Sequence, residues 1–351
     1  MNELTIEKVV YGGAGLARLP ERGGRRQVVF LPGTLPGERV LAELDPPRVI
    51  KILQPSPDRV EPACEYFGRC GGCQMQHASY AAQVAIKREV LVETLQRTGG
   101  VAWTGPITMH TAHPWGYRNR IRLHRSGAGW GYFESGSHRV LPISHCPIAD
   151  PELSAAIPML ANDAGHEIEL ALASFSAAGL EFRVSDGSFF QVNRFLASEL
   201  VEAVTGGQEG GTAIDLFSGV GLFALPLAPR FDRVFAVEGS PAAVDDLRWN
   251  AKRSANIEVV ASSAVSFFRR QQSSPDLVIA DPPRAGLGKE LVQALITLAP
   301  ARVHIVSCDP ATLGRDLKPL VAHGYTLEEV HLFDLFPQTF HLETVVKLQR
   351  I

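Results

Sequence analysis

The chain has 351 residues, of which 45% are hydrophobic and 20% charged, with a formal net charge of −3. That length and apolar content allow two or three domains with a substantial core. No apolar run is long enough to span a membrane and no signal peptide is evident, which argues against a membrane protein and against disulfides. A cytoplasmic location is therefore expected.

The charge is unevenly shared: residues 1–140 carry 18 Lys and Arg against 12 Asp and Glu, and the remainder carries 16 against 25. A basic front and an acidic back suggest an anionic polymer docked at the front, although solvated faces also vary by chance.

Residues 1–56 contain the short β-runs LTIEKVVY, RQVVFLPG and ERVLAEL, separated by Gly- and Pro-rich turns. They predict a small barrel of OB type, a common nucleic-acid platform. Arg22, Arg25 and Arg26 sit in its glycine-marked hairpin turn. Pro55 and Pro57 mark a linker into residues 57–185, the predicted central domain. Cys64, Cys70 and Cys73 follow in CEYFGRCGGC, with Cys146 remote in ISHCPI.

Three local thiols with glycines between them can wrap one metal centre, and a distant fourth completes the set. Structural zinc usually pairs two short knuckles, so the spacing favours an iron-sulfur cluster with zinc as the alternative. QVAIKREVLVETLQRTG has helical spacing ended by glycine. In GYRNRIRLHR a strand would present Arg118, Arg120 and Arg122 on one face. Such a row suits phosphates, or else a solvated sheet face with carboxylates opposite.

From about residue 205 alternating apolar strands and helices predict a parallel α/β sheet. TAIDLF runs into SGVGLFALPLA, where Asp215, Phe217, Gly219 and Gly221 form a strand-loop-helix turn open to a nucleotide-like ligand. The next strand, RVFAVEG, ends in Glu238, the acidic position for a ribose. The loop does not match G-x-G-x-x-G, so S-adenosylmethionine is a better ligand than a dinucleotide. PDLVIADPPRAGL delivers Asp281 in a proline-stiffened loop at the same edge. ARVHIVSC brings Cys308 beside it, as a nucleophile or as a small core residue. Glu343 precedes the last strand, as a base or as a turn cap.

Taken together, YGGAGLARL, CEYFGRCGGCQMQH, HCPI, FFQVN, DLFSGVGLFALPLA, DPPRAGL, SCDPATLGRDL and DLFPQTFHLETVV occur in one order over nearly the whole chain. In this the chain resembles the bacterial RNA 5-methyluridine methyltransferases. The resemblance implies a multi-domain protein: a TRAM-like OB barrel at 1–56, a β-rich iron-sulfur domain at 57–185, and a Rossmann-like α/β methyltransferase domain at 186–351. It implies S-adenosylmethionine at Gln191, Phe217, Glu238 and Asp281, and a 4Fe-4S cluster on Cys64, Cys70, Cys73 and Cys146.

The resemblance also implies Cys308 as nucleophile and Glu343 as general base. The partner it implies is RNA, with 23S rRNA favoured over tRNA, and no obligate protein partner. Three positions depart from some relatives, which carry asparagine where this chain has Leu222, Ser263 and Asp309. A carboxylate at Asp309 would raise the pKa of Cys308 unless it points elsewhere.

In that chemistry a thiolate adds to uracil carbon-6, carbon-5 takes the methyl group, and a base removes the carbon-5 proton. The base must be splayed out of folded RNA first. Two rivals are a cytosine-C5 methyltransferase, whose nucleophile usually follows a proline where Asp281-Pro282-Pro283 stands, and a noncatalytic RNA-binding protein of the same fold.

Overall fold

In the strand Val28–Pro32, Val29 and Leu31 are buried while their neighbours are exposed, the period-two pattern of a one-sided strand. The computed structural model containing this strand describes residues 1–19, 27–162 and 165–351, so the arginine cluster Arg22, Arg25 and Arg26 lies outside the described residues. The chain divides into two compact units, and the division is interleaved. One holds Met1–Val90, His113–Ala171 and Phe336–His341, and the other Leu91–Ala112, Leu172–Leu335 and Leu342–Ile351.

The first unit opens with two three-stranded antiparallel sheets within residues 2–54. Leu4, Ile6, Ala17, Val29, Leu31, Val40 and Ala42 form their shared core. The segment expected to be a linker is pinned to it. Glu38, fully buried, accepts from Arg59 Nε at 2.5 Å, from the Leu35 N–H at 2.9 Å and from the Ser56 N–H at 3.3 Å. Despite its burial, these donors hold the carboxyl below its ordinary range.

A four-stranded antiparallel sheet follows in the order Val140–Pro142, Gly129–Phe133, Arg120–Ser126, Glu167–Ala171. It corrects the reading of the arginine row. The strand starts at Arg120, and Arg118 precedes it in a single bridge to Ala149. The neighbouring strand sets Glu169 opposite Arg122 and Glu167 opposite His124. Arg120 lies 3.3 Å and Arg122 3.2 Å from Glu169. Arg120 and Arg122 therefore form a cross-strand ion-pair ladder, which uses their charge within the sheet.

The second unit is built on eight strands: β1 (Ile107–His110), β2 (Gly210–Leu216), β3 (Phe231–Glu238), β4 (Ile257–Ala261), β5 (Leu277–Ala280), β6 (Arg302–Ser307), β7 (Tyr325–Phe333) and β8 (Glu343–Arg350). Their order is β4-β3-β2-β5-β6-β8-β7-β1. β4 to β6 run parallel, β8 enters antiparallel between β6 and β7, and β1 pairs parallel with β7. β5 is buried along its whole length, as expected of a parallel strand covered on both faces.

The strand β1 differs from the expected division, which put residues 57–185 in the central domain. Helix Tyr80–Thr94 runs on through a π-turn at Leu95–Gly99 to Gly100, which takes the left-handed conformation that ends a helix. Leu91 and Leu95 already lie in the core of the second unit.

Candidate active site

Register alone assembles most of the predicted residues. On neighbouring strands Val237 pairs with Leu216, and Leu216 with Ala280. The next residue on each strand is Glu238, Phe217 and Asp281, so these three form a row across the carboxyl edge of the sheet. On the antiparallel side Ser307 pairs with Thr344, which places Cys308, just past the end of β6, opposite Glu343, the first residue of β8. Parallel strands and one antiparallel return thus bring every predicted methyl-donor and catalytic position except Gln191 to one edge.

The glycine loop is locally strained. Phe217 has φ 59° and Gly219 φ 54°, and holding a phenylalanine there costs about 1–2 kcal/mol. Glu238 helps to hold the loop: its Oε2 accepts from the Gly219 N–H at 2.8 Å, while its Oε1 accepts from the N–H groups of Gly239 and Ser240 at 2.7 and 2.6 Å. A cavity of about 250 Å3 opens next to it, lined among others by Gly239, Pro241, Ser262 and Ser263.

Gln191 is buried, and its Nε2 lies 3.5 Å from Asp281 Oδ2. The segment that carries it is strapped to helix Pro241–Ala251. Buried Asp246 accepts from the Ser185 N–H, the Ser185 hydroxyl and the Ser188 hydroxyl, each at 2.7 Å.

The electrostatics are those of a proton-rich cleft. Burial, with the Glu343 carboxyl beside it, pushes the Cys308 thiol up to about 11, and Arg284 acts the other way. Burial and the neighbouring Asp281 raise Glu343 well above its ordinary range, again opposed by Arg284. Burial pushes Asp281 to about 7. Asp215, fully buried, is pushed to about 8 by burial, with Asp281 and Glu238 adding to the shift. The Ser218 hydroxyl donates to its main-chain carbonyl at 2.7 Å, and hydrogen bonding from Ser218 and the Ala224 backbone opposes the rise without overcoming it.

Two further charged residues bear on this cluster. Arg284 is a cation acting on both Cys308 and Glu343, and Asp215 is a buried acid beside the glycine loop. Their signal in sequence was only their place in DLFSGVG and DPPRAGL.

The departures are explained locally. Asp309 turns away from Cys308: its Oδ1 caps the following helix, accepting from the N–H groups of Ala311 and Thr312 at 3.0 and 2.9 Å. Ser263 caps helix Ala264–Phe268 through the Ser266 N–H at 3.2 Å. Leu222 is buried in the core.

The four remaining cysteines lie in the first unit. Their segment is tied to strand Gly129–Phe133 by the Gly71 N–H, which donates to Phe133 O at 2.9 Å. A Cβ on Gly71 would stand 3.0 Å from that oxygen. Burial is the first cause that raises Cys64, Cys70 and Cys73, the last to about 12, and the charge of Cys146 adds to the rise in each of the three. Such a set binds protons tightly unless a cation replaces them.

Among the described residues no group of three or more His, Cys, Asp or Glu side chains is gathered closely enough to hold a metal ion. No helix among the described residues is long and apolar enough to cross a membrane.

A family model described as tRNA (Uracil-5-)-methyltransferase matches residues 169–351. An uncharacterized RNA methyltransferase of Streptomyces avermitilis is 33% identical, with 99% of this chain and 98% of that one covered. The 23S rRNA (uracil(1939)-C(5))-methyltransferase RlmD of Alkalilimnicola ehrlichii is 30% identical, with 99% and 96% covered. The solved structure of Pyrococcus abyssi tRNA (uracil-54, C5)-methyltransferase with S-adenosyl-L-homocysteine has a TM-score of 0.73 at 24% identity, covering 98% of this chain and 100% of that one. That last likeness is one of fold.

Proposed function

The chain belongs to the tRNA (uracil-5-)-methyltransferase family and is an S-adenosylmethionine-dependent RNA methyltransferase, and on that footing we propose that it methylates carbon-5 of a uridine in 23S rRNA through a covalent Cys308 adduct. The observation that carries the mechanism is the register setting Cys308 opposite Glu343, within the charge cluster of Asp281 and Arg284. The 23S assignment is supported by the relative in Alkalilimnicola. The first unit is read as the RNA-gripping part, with a TRAM-like barrel at 1–56 and a cluster-bearing module after it.

The donor, when bound, supplies a methyl group on a positively charged sulfur. Glu238, Phe217 and Asp281 would hold it along the row described above, with Gln191 beside Asp281 and the 250 Å3 cavity beside Glu238 for its nucleoside end. Cys308 must lose its proton before it can add to carbon-6 of the ring. Asp281, near 7, is the group in the cluster with an ionised fraction at neutral pH to accept that proton.

Addition forms the sulfur–carbon-6 bond and pushes an electron pair toward carbon-5, which then takes the methyl group as the methyl–sulfonium bond breaks, leaving S-adenosylhomocysteine. Glu343, having first lost its own proton to solvent, then removes the carbon-5 proton, and the electron pair released expels the Cys308 thiolate. Cys64, Cys70, Cys73 and Cys146 would hold a 4Fe-4S cluster with a structural part, pinning the cysteine segment to the segment at Cys146.

The test is methyl transfer from tritiated donor to 23S rRNA and tRNA transcripts. Label in 5-methyluridine of 23S rRNA, absent with Cys308→Ala, is expected. Label confined to tRNA would move the substrate to tRNA, and label in cytosine or none at all would overturn the reading.

A further inference from the structure

We propose that Arg315 and Asp316 are positioning residues of this reaction, forming a clamp that fixes the Asp281–Arg284 loop against the helix that starts beside Cys308. The inference rests on the mechanism above. Helix Pro310–Ala322 follows the nucleophile directly through its cap, Asp309, so its direction is coupled to the position of the thiol.

Two turns along the helix, buried Asp316 reaches across to the loop, and its Oδ2 accepts from the Leu287 N–H at 2.7 Å. Arg315 donates from Nε to Asp316 Oδ1 at 2.9 Å and from Nη2 to the Ala285 carbonyl at 2.7 Å. Two successive peptide units beyond Arg284 are thereby held by two successive side chains. Between them the loop turns tightly, with the Gly286 N–H donating to Pro283 O at 2.8 Å and Gly286 at φ 76°. A Cβ on Gly286 would stand 2.4 Å from Asp316 Oδ2 and 2.7 Å from Arg315 Nη2, so loop and clamp are in direct contact.

The far side of the helix is held too. Its Gly314 backbone lies against Gly99 of the π-turn so closely that a Cβ on Gly99 would stand 2.8 Å from Gly314 O. The helix is thus gripped from behind and grips the loop in front. Its position decides where Arg284 and Asp281 sit relative to Cys308. Stiff proline geometry at Pro282 and Pro283 passes that position along the loop. Neither Arg315 nor Asp316 touches the reacting atoms in this arrangement.

The test uses the full chain with Arg315→Ala, Arg315→Lys and Asp316→Asn. Arg315 is half-exposed, so its removal should leave the fold intact, as thermal melting will check. Two readouts are followed: alkylation of Cys308 by iodoacetamide against pH, read by peptide mass spectrometry, and single-turnover formation of the RNA adduct.

Loosening the loop should slow adduct formation by about a hundredfold, as expected for a misplacement near 1 Å, while affinity for S-adenosylhomocysteine falls less than about fivefold. With Arg284 displaced, the alkylation midpoint should move to higher pH, and Arg315→Lys should recover part of both effects. An unchanged alkylation profile together with wild-type adduct formation in folded variants overturns the clamp. A shifted profile in a protein whose wild type forms no adduct keeps the clamp and overturns the reaction assigned to the site.

Discussion

Asp215 should be a liability to the fold at neutral pH, and Asp215→Asn should remove it. The side chain is fully buried, and burial raises its pKa from the ordinary 3.8 to about 8 against the hydrogen bonding from Ser218 and Ala224. An acid whose pKa is higher folded than unfolded binds more protons in the folded state between those two values. Stability therefore falls as pH rises through the window from about 4 to 8.

At pH 7 the window has been crossed by about three units at about 1.36 kcal/mol each, a cost on the order of 4 kcal/mol. For a unit of this size that corresponds to roughly 10 °C in Tm. Asparagine keeps the shape and cannot ionise. Melting curves of both proteins at pH 4, 5, 6, 7 and 8 should lie closest near pH 4 and separate steadily as pH rises, with the variant higher. A variant less stable by the same amount at every pH would show that the carboxylate is ionised and paired, and the reasoning would fail.

Glu343→Gln should accumulate an RNA–protein adduct that survives denaturing electrophoresis, because the methylated adduct forms but cannot lose its carbon-5 proton. Normal turnover would move the base elsewhere, with Asp281 next. Because Asp281, near 7, takes the proton of a Cys308 thiol held near 11, single-turnover adduct formation should rise from pH 6 to about 8 and then level off, and a rise continuing to pH 9 would show that the thiol loses its proton to solvent instead. Anaerobically purified protein should be brown with about four irons per chain, and colourless protein with one zinc would overturn the cluster. Arg122→Ala should leave RNA affinity and its salt dependence nearly unchanged, since Glu167 and Glu169 already use that charge, and a marked loss would reinstate the phosphate row.

The chain by itself determined the order of strands and loops in the second unit, and hence which residues reach the carboxyl edge of the sheet. Phe217, Glu238, Asp281 and Cys308 each end an apolar strand, and a parallel sheet sends all such ends to one side. That much follows from local pattern. Side-chain partners far apart in sequence did not. Glu167 and Glu169 neutralise Arg120 and Arg122 only because an antiparallel register sets them side by side.

Strand β1 joins the large sheet through a pairing with β7 more than two hundred residues away, which no local periodicity encodes. The same holds for Phe336–His341, a short return to the first unit just before Glu343. There Gln338 N–H donates to Gln83 Oε1 at 2.9 Å, and the N–H groups of Gln74 and Met75 donate to Gln338 O at 3.0 and 2.9 Å. The protonation of Asp215, Cys308 and Glu343 was likewise decided by tertiary structure, because a pKa depends on the water and charges that packing removes or brings close.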